Sequence, residues 1–328
     1  MSVENDASRA VGEELRAALE YSTGDPKSDD YIRGSLRAGV VGDDPYLVDI
    51  FEQVVGPEQA EVDLHLTGPG VRNHSTNAHH FAQFVSGISE AVKETAKEMA
   101  GKGRYSEGLV IEGATPGSVR VVLRAPEPKV VQDQTIDERT AASSVDSDAL
   151  RAIAAILTHA SDKDPNSPFV AELAELPVKA RRGLKRAVTQ SRKAGWLIEG
   201  TVRQRQIGAG TVLLSAEGAM RLALQLESGT EKRTTEKAIG RIDGFRRSLG
   251  TLYFIPDGGQ PFIAGVKDSS VATRVTELFV DPDEMVEAIF HVVESLLPGA
   301  GAVTRRSRVL VSIKRSDVGE QGDFEYSD

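Results

Sequence analysis

Apolar residues recur at helical spacing near the start of the chain, where Val11, Leu15, Ala18 and Leu19 predict a helix over residues 7–21. The polar run at 22–30 reads as a loop. Leu47, Ile50, Phe51, Val54 and Val55 predict a second, shorter helix over 46–55. The period then changes. Val62, Leu64 and Leu66 alternate with Asp63, His65 and Thr67, as they do in a strand with one buried face. Gly68-Pro69-Gly70 ends that strand, and a long helix follows over 76–100 with Phe81, Phe84, Val85, Ile88, Val92 and Met99 on its core face. Leu109 and Ile111, then Val119, Val121 and Leu123, predict two more strands on either side of Pro116-Gly117-Ser118. Residues 58–126 therefore read as a β-α-β-β unit, a small sheet with a helix laid across one face.

Residues 127–147 lack periodic apolar positions and read as a linker. Leu150, Ile153, Ala154 and Leu157 then share a helix face. Two prolines break the pattern within 162–168, and a basic helix over 178–194 follows Pro177 and closes at Gly195. Strands are expected at 196–202 and 211–214, joined around Gly208-Ala209-Gly210, with a helix from Ser215 carrying Met220, Leu222, Leu224 and Leu226. Helix and hairpin together loosely suggest a winged helix. Farther on, 238–245, 250–255 and 262–266 predict strands, with a turn at Pro256-Asp257-Gly258-Gly259. Asp281-Pro282-Asp283-Glu284 has the form of a helix start, which predicts a helix to about 297 before a last strand with Val309, Val311 and Ile313.

The expected fold class is α+β: an N-terminal β-α-β-β layer unit, a helical basic middle and a small, mostly-β, barrel-like C-terminal domain. An open sheet backed by two helices fits the last part of the pattern as well. The division runs 1–57 helical, 58–126 β-α-β-β, 127–147 linker, 148–230 basic helix and hairpin, 231–316 β-rich, and 317–328 a disordered acidic tail.

Composition narrows the chemistry. The 328 residues exceed one ordinary hydrophobic core, and the absence of cysteine removes disulfides, thiolate nucleophiles and sulfur-ligated zinc. An acidic N-terminus without an apolar core and the lack of any long apolar run point to a soluble, cytoplasmic protein that does not enter a membrane. Charge is sorted along the chain. Residues 1–150 hold 26 acids and 14 bases, residues 151–250 hold 10 and 18, and residues 251–328 hold 13 and 7. A basic block inside an acidic chain suggests an anionic partner, either a nucleic acid or the chain's own acidic segments.

Lys179, Arg181, Arg182, Lys185, Arg186, Arg192 and Lys193 fill one arc of the basic helix, opposite Leu184 and Val188. No acid occurs between residues 176 and 198, so these seven are the candidate nucleic-acid or anion contacts. Four of the six histidines, His65, His74, His79 and His80, fall within sixteen residues. They lack chelating spacing, so no metal and no cofactor is expected. Phosphate-loop, nucleophile-elbow and zinc-protease motifs are missing, and no catalytic residue stands out. The favoured expectation is a binding or regulatory protein that contacts nucleic acid or an acidic protein partner. One alternative is an enzyme, metal-dependent or not, built on residues 62–124. A third is a structural protein whose basic patch is buried in a subunit contact.

Overall fold

The computed structural model describes residues 2–101, 108–112, 119–127, 143–162, 164, 167–228, 231–281, 284–296 and 304–316. Most of the expected linker and the whole acidic tail lie outside them. The chain forms two compact units, one from residues up to 161 together with 177–220, the other from 162–176 and 221 onward.

The first unit contains, in chain order, helices α1 (Ser2–Glu20), α2 (Pro26–Leu36) and α3 (Pro45–Val55), strands β1 (Glu61–Thr67), β2 (Val71–Arg72) and β3 (Ser75–Thr76), and helix α4 (Ala78–Met99). Strands β4 (Val110–Glu112) and β5 (Val119–Arg124) and helix α5 (Val145–Ser161) follow. Helix α6 (Phe169–Ala174) belongs to the second unit, after which α7 (Val178–Ala194), β6 (Leu197–Gln204) and β7 (Gly208–Leu214) return to the first. Helix α8 (Ala216–Ser228) carries the chain onward.

Strand β1 is the centre of a five-stranded sheet of order β4-β5-β1-β6-β7, antiparallel throughout. Its two-residue period explains the pairing. Val62 sits between Leu123 and Val202, Leu64 between Val121 and Gly200, and Leu66 between Val119 and Ile198. These rows make one apolar face, and Val62, Leu64, Leu66, Val121, Leu123, Ile198 and Val202 are all buried. The hairpin β6–β7 is thus no wing: it completes the sheet of the β-α-β-β segment. Its turn occupies residues 205–207, and the glycines expected to form the turn lie inside β7.

The outer edge of β7 is closed by side chains. Ala209 N–H donates to Asp49 Oδ1 (2.9 Å), Leu213 N–H to Thr158 Oγ1 (3.3 Å), and Ser161 Oγ–H to Leu213 C=O (3.1 Å). Open strand edges template unwanted pairing, so α3 and α5 protect this one.

Residues 22–30 are only in part the expected loop, because α2 begins at Pro26. Asp25 caps it by accepting from Ser28 N–H (3.1 Å), with proline at the first helical position. Asp29 accepts from Ser22 Oγ, Thr23 N–H and Thr23 Oγ1, hydrogen bonds that hold its carboxyl at about 2.

The second unit is a closed barrel made of β8 (Glu231–Arg246), β9 (Thr251–Pro256), β10 (Phe262–Gly265), β11 (Val286–Leu296) and β12 (Thr304–Arg315), with α9 (Ser269–Leu278) between β10 and β11. Around the barrel the order is β10-β12-β11-β8-β9. Three consecutive antiparallel strands with the fourth returned beside the first form a Greek key. One parallel pair, Gly265 with Val309, joins β10 to β12 and completes the circle.

This unit overturns the expected helix over 284–297, since residues 286–296 are a strand. Val286, Ala288, Phe290 and Val292 point into the barrel with almost no exposure, while Glu287, Ile289 and His291 between them are more exposed. That is a period of two, and it outweighs the helix-start form of Asp281 to Glu284. Phe254, Phe262 and Phe290 fill the interior with ring centroids 5.2–5.4 Å apart. On β12 the expected Val309-Val311-Ile313 alternation is interrupted by a bulge. Ile289 pairs with Ser312 but Phe290 with Leu310, so Val311 is the extra residue and turns outward. Arg306 and Arg308 of β12 both pair with Glu236.

No described helix is long and apolar enough to cross a membrane.

Candidate anion-binding face

Helix α7 begins directly after Pro177, and its first turn lacks any acid. At its other end Gly195 adopts the left-handed conformation (φ 65°), so that Gly195 N–H reaches Arg192 C=O and Trp196 N–H reaches Ser191 C=O. Arg192 and Lys193 occupy the last turn, where positive charge suits the helix dipole. The buried arc is Ala180, Gly183, Leu184, Ala187, Val188 and Ser191, as the apolar spacing predicts.

That arc packs on α4, and glycine sets the distance. A Cβ on Gly87 would lie 2.7 Å from both Ala187 N and Gly183 O, and one on Gly183 would lie 2.8 Å from Ala91 N. The two backbones touch. His80 Nδ1 lies 2.7 Å from Gln190 Oε1, and Glu90 meets Arg186, so the helices run antiparallel. Phe84 of α4 sets its ring edge-on to Trp196 at 5.8 Å.

Close packing decides what the seven expected cations can do. Lys179, Arg182, Arg192 and Lys193 are exposed, whereas Arg181, Lys185 and Arg186 are half-buried. Arg186 is ion-paired with Glu90 of α4. Glu94, one turn on, has its carboxyl held below the usual range, first by Lys97 and then by Lys179 and Lys93. Arg181 and Lys185 also have interactions within the fold. Among the described residues, Arg182, Arg192 and Lys193 form no ion pair. Helical geometry places Lys179, Arg182, Arg186 and Lys193 in one stripe and Arg181, Lys185 and Arg192 in a second.

The charges that composition concealed sit on the polar face of the sheet. Glu61 of β1 is buried and accepts from Arg124 on one neighbouring strand and from Arg203 (2.6 and 2.8 Å) on the other. Burial would raise the Glu61 carboxyl, but hydrogen bonds from the two guanidinium groups hold it below its ordinary value. Arg203 also reaches Glu52 of α3 (3.6 Å), whose carboxyl is raised by burial. One row along, Arg120 binds Asp63, with His65 3.6 Å away. The sequence offered a signal for this row in the acids that alternate with Val62 and Leu64. Their partners on β5 and β6 could be assigned only once the register was known.

The remaining clustered histidines do not converge. His74 takes a left-handed backbone (φ 63°) in the β2–β3 turn, and His79 is exposed at the start of α4. Among the described residues, no group of three histidine, aspartate or glutamate side chains is placed to hold a metal. Compared with known proteins, the chain matches no family model, no curated relative and no solved structure.

Proposed function

We propose that this chain binds nucleic acid through its phosphate backbone, along the outer arc of α7, without reading base sequence. The observation that carries the reading is the set Lys179, Arg182, Arg192 and Lys193, exposed on a helix of a chain with net charge −10. Lys179 and Lys193 are fourteen residues apart, roughly 21 Å at the helical rise, which matches about six base steps measured along a duplex axis. The single tryptophan, the side chain best suited to stacking on bases, is buried. Contacts of this kind position a duplex but carry no sequence code.

The Greek-key barrel favours nucleic acid over an acidic protein as the partner. Five-stranded barrels of this topology recurrently serve as oligonucleotide- and oligosaccharide-binding scaffolds. The support is a fold-level analogy and assigns no residues.

The test is a mobility-shift titration against a short random-sequence duplex over a range of salt. Four cations predict that log affinity falls with log salt at a slope of about −3.6. The triple variant R182E/R192E/K193E should lose the shift while keeping its thermal transition, since all three side chains are exposed. No shift at about 50 mM salt, or a strong dependence on base sequence, would overturn the proposal.

A further inference from the structure

Glu90 stands out in the contact between α4 and α7. Gly87 and Gly183 bring the two backbones together, and the Cβ of Glu90 lies 3.2 Å from the place where a Gly183 Cβ would be. The glutamate is thereby held one helical turn from Arg186 and pairs with it. Neither group is deeply buried, at 43% and 37% exposed for the acid and the arginine. Half-exposed pairs contribute little to stability, about 0–1 kcal/mol. The arginine is engaged through Nη2, while its Nε is buried without a partner, so the pair lacks the two-pronged geometry of a strong arginine–carboxylate contact. Glu94 lies on the same side of α4, close enough to Lys179 to feel its charge.

We propose that Glu90 is a built-in competitor for phosphate: it occupies Arg186 and keeps it even when a duplex is bound, so that Arg186 becomes a fifth phosphate contact only once the carboxylate is removed. This rests on the reading of α7 as the binding face. The physical basis is a competition between two anions for one guanidinium. A lone carboxylate on the same protein needs no association step, so it holds the arginine even against a phosphate positioned by the neighbouring Arg182 and Lys193. The consequence is a face limited to four phosphate contacts, Lys179, Arg182, Arg192 and Lys193, although a fifth cation stands beside them.

The test is a double-mutant cycle between positions 90 and 186, read by the same duplex titration. E90Q should steepen the salt slope from about −3.6 to about −4.5 and tighten binding about tenfold at ~50 mM salt, one added phosphate contact by the rule of 0.9 per contact. R186Q in the wild-type background should change affinity less than about twofold, yet remove the whole gain in the E90Q background. Thermal melts of both single variants should stay close to wild type, because the pair is exposed. An unchanged slope in E90Q, or an R186Q loss as large as that of R182Q in the wild-type background, would overturn the inference. If R182E/R192E/K193E abolishes binding while E90Q is silent, only the competitor role fails. If neither wild type nor E90Q shifts the duplex, both readings fail together.

Discussion

Replacing Asp146 with Asn should make the first unit more stable at neutral pH and leave its stability at acid pH much less affected. Asp146 lies in the first turn of α5 at 1% exposure, and its Oδ1 is buried with no hydrogen-bond partner. Burial alone pushes its carboxyl up from the ordinary 3.8 to about 6. The folded state thus holds a proton that the unfolded chain has already released. Stability is fully present below the unfolded value and declines as pH rises through the folded one. The loss is complete above about pH 6 and amounts to about 3 kcal/mol, at ~1.36 kcal/mol per pH unit between the two values. The dipole of α5 favours the anion by only about 0.3–1 kcal/mol at such a position, too little to reverse the sign. Asparagine carries no charge at any pH, but its amide has its own burial cost of about 1–3 kcal/mol. That cost does not depend on pH, so the quantity to measure is a difference of differences. Urea unfolding of wild type and D146N at about pH 4 and pH 7.5 should give a variant-minus-wild-type stability that rises by about 2.5 kcal/mol between the two, since a small part of the loss has already occurred at pH 4. Trp196 supplies the signal. It is the only tryptophan, it is buried, and it belongs to the same compact unit as Asp146. Equal values at the two pH points would refute the reasoning and show that the folded carboxyl titrates like the unfolded one.

Phe84→Ala should cost about 3–5 kcal/mol in the same assay, because Phe84 has no exposure and packs against Trp196; a loss below about 1 kcal/mol would mean that the α4 face is placed wrongly. Gly87→Ala and Gly183→Ala should each lower the thermal midpoint by several degrees, since the new methyl meets backbone atoms at 2.7–2.8 Å, and a neutral effect would contradict the close α4–α7 contact. Glu61→Gln should destabilise the first unit by about 1.5–3 kcal/mol, because the hydrogen bonds of Arg124 and Arg203 lose their shared buried carboxylate. Glu61 is held below its ordinary 4.5, so the stability it contributes is present above that pH and is lost as pH falls through the folded value, a dependence that E61Q should abolish.

What the sequence made legible was set by how local each signal is. The alternation of Val62, Leu64 and Leu66 and the apolar arc of α7 with Leu184 and Val188 are periods within one element, and both reappear in the structure. The partners of those elements are not local. Nothing near residues 197–214 says that they pair with β1, more than a hundred residues earlier. The 284–297 expectation failed because two local signals disagreed. Asp281 and Pro282 have the chemistry of a helix start, while Val286, Ala288, Phe290 and Val292 have the period of a strand, and barrel closure decided for the strand. The same applies to Arg186, whose neighbour Glu90 lies ninety-six positions away in sequence and became an ion-pair partner only because two glycines let the helices touch.

Charge segregation along the chain therefore overstates the charge that a partner can use. Much of the basic block is spent within the fold: Arg203 on Glu61 and Glu52, Arg205 on Glu58, Lys237 on Glu287. Strand cations are consumed where sheet register sets them opposite or diagonal to acids on neighbouring strands, as it sets Arg203 opposite Glu61, at spacings that long side chains bridge. Helix cations are consumed only where a second helix comes close enough, and on α7 that condition is met at Arg186 but not at Arg182, Arg192 or Lys193. A salt slope is the measurement that separates these two populations. It counts cations that release counterions to a phosphate, not cations present in the sequence. A wild-type slope well steeper than about −3.6 would mean that strand arginines also reach the nucleic acid, and that the ladder around Glu61 opens on binding.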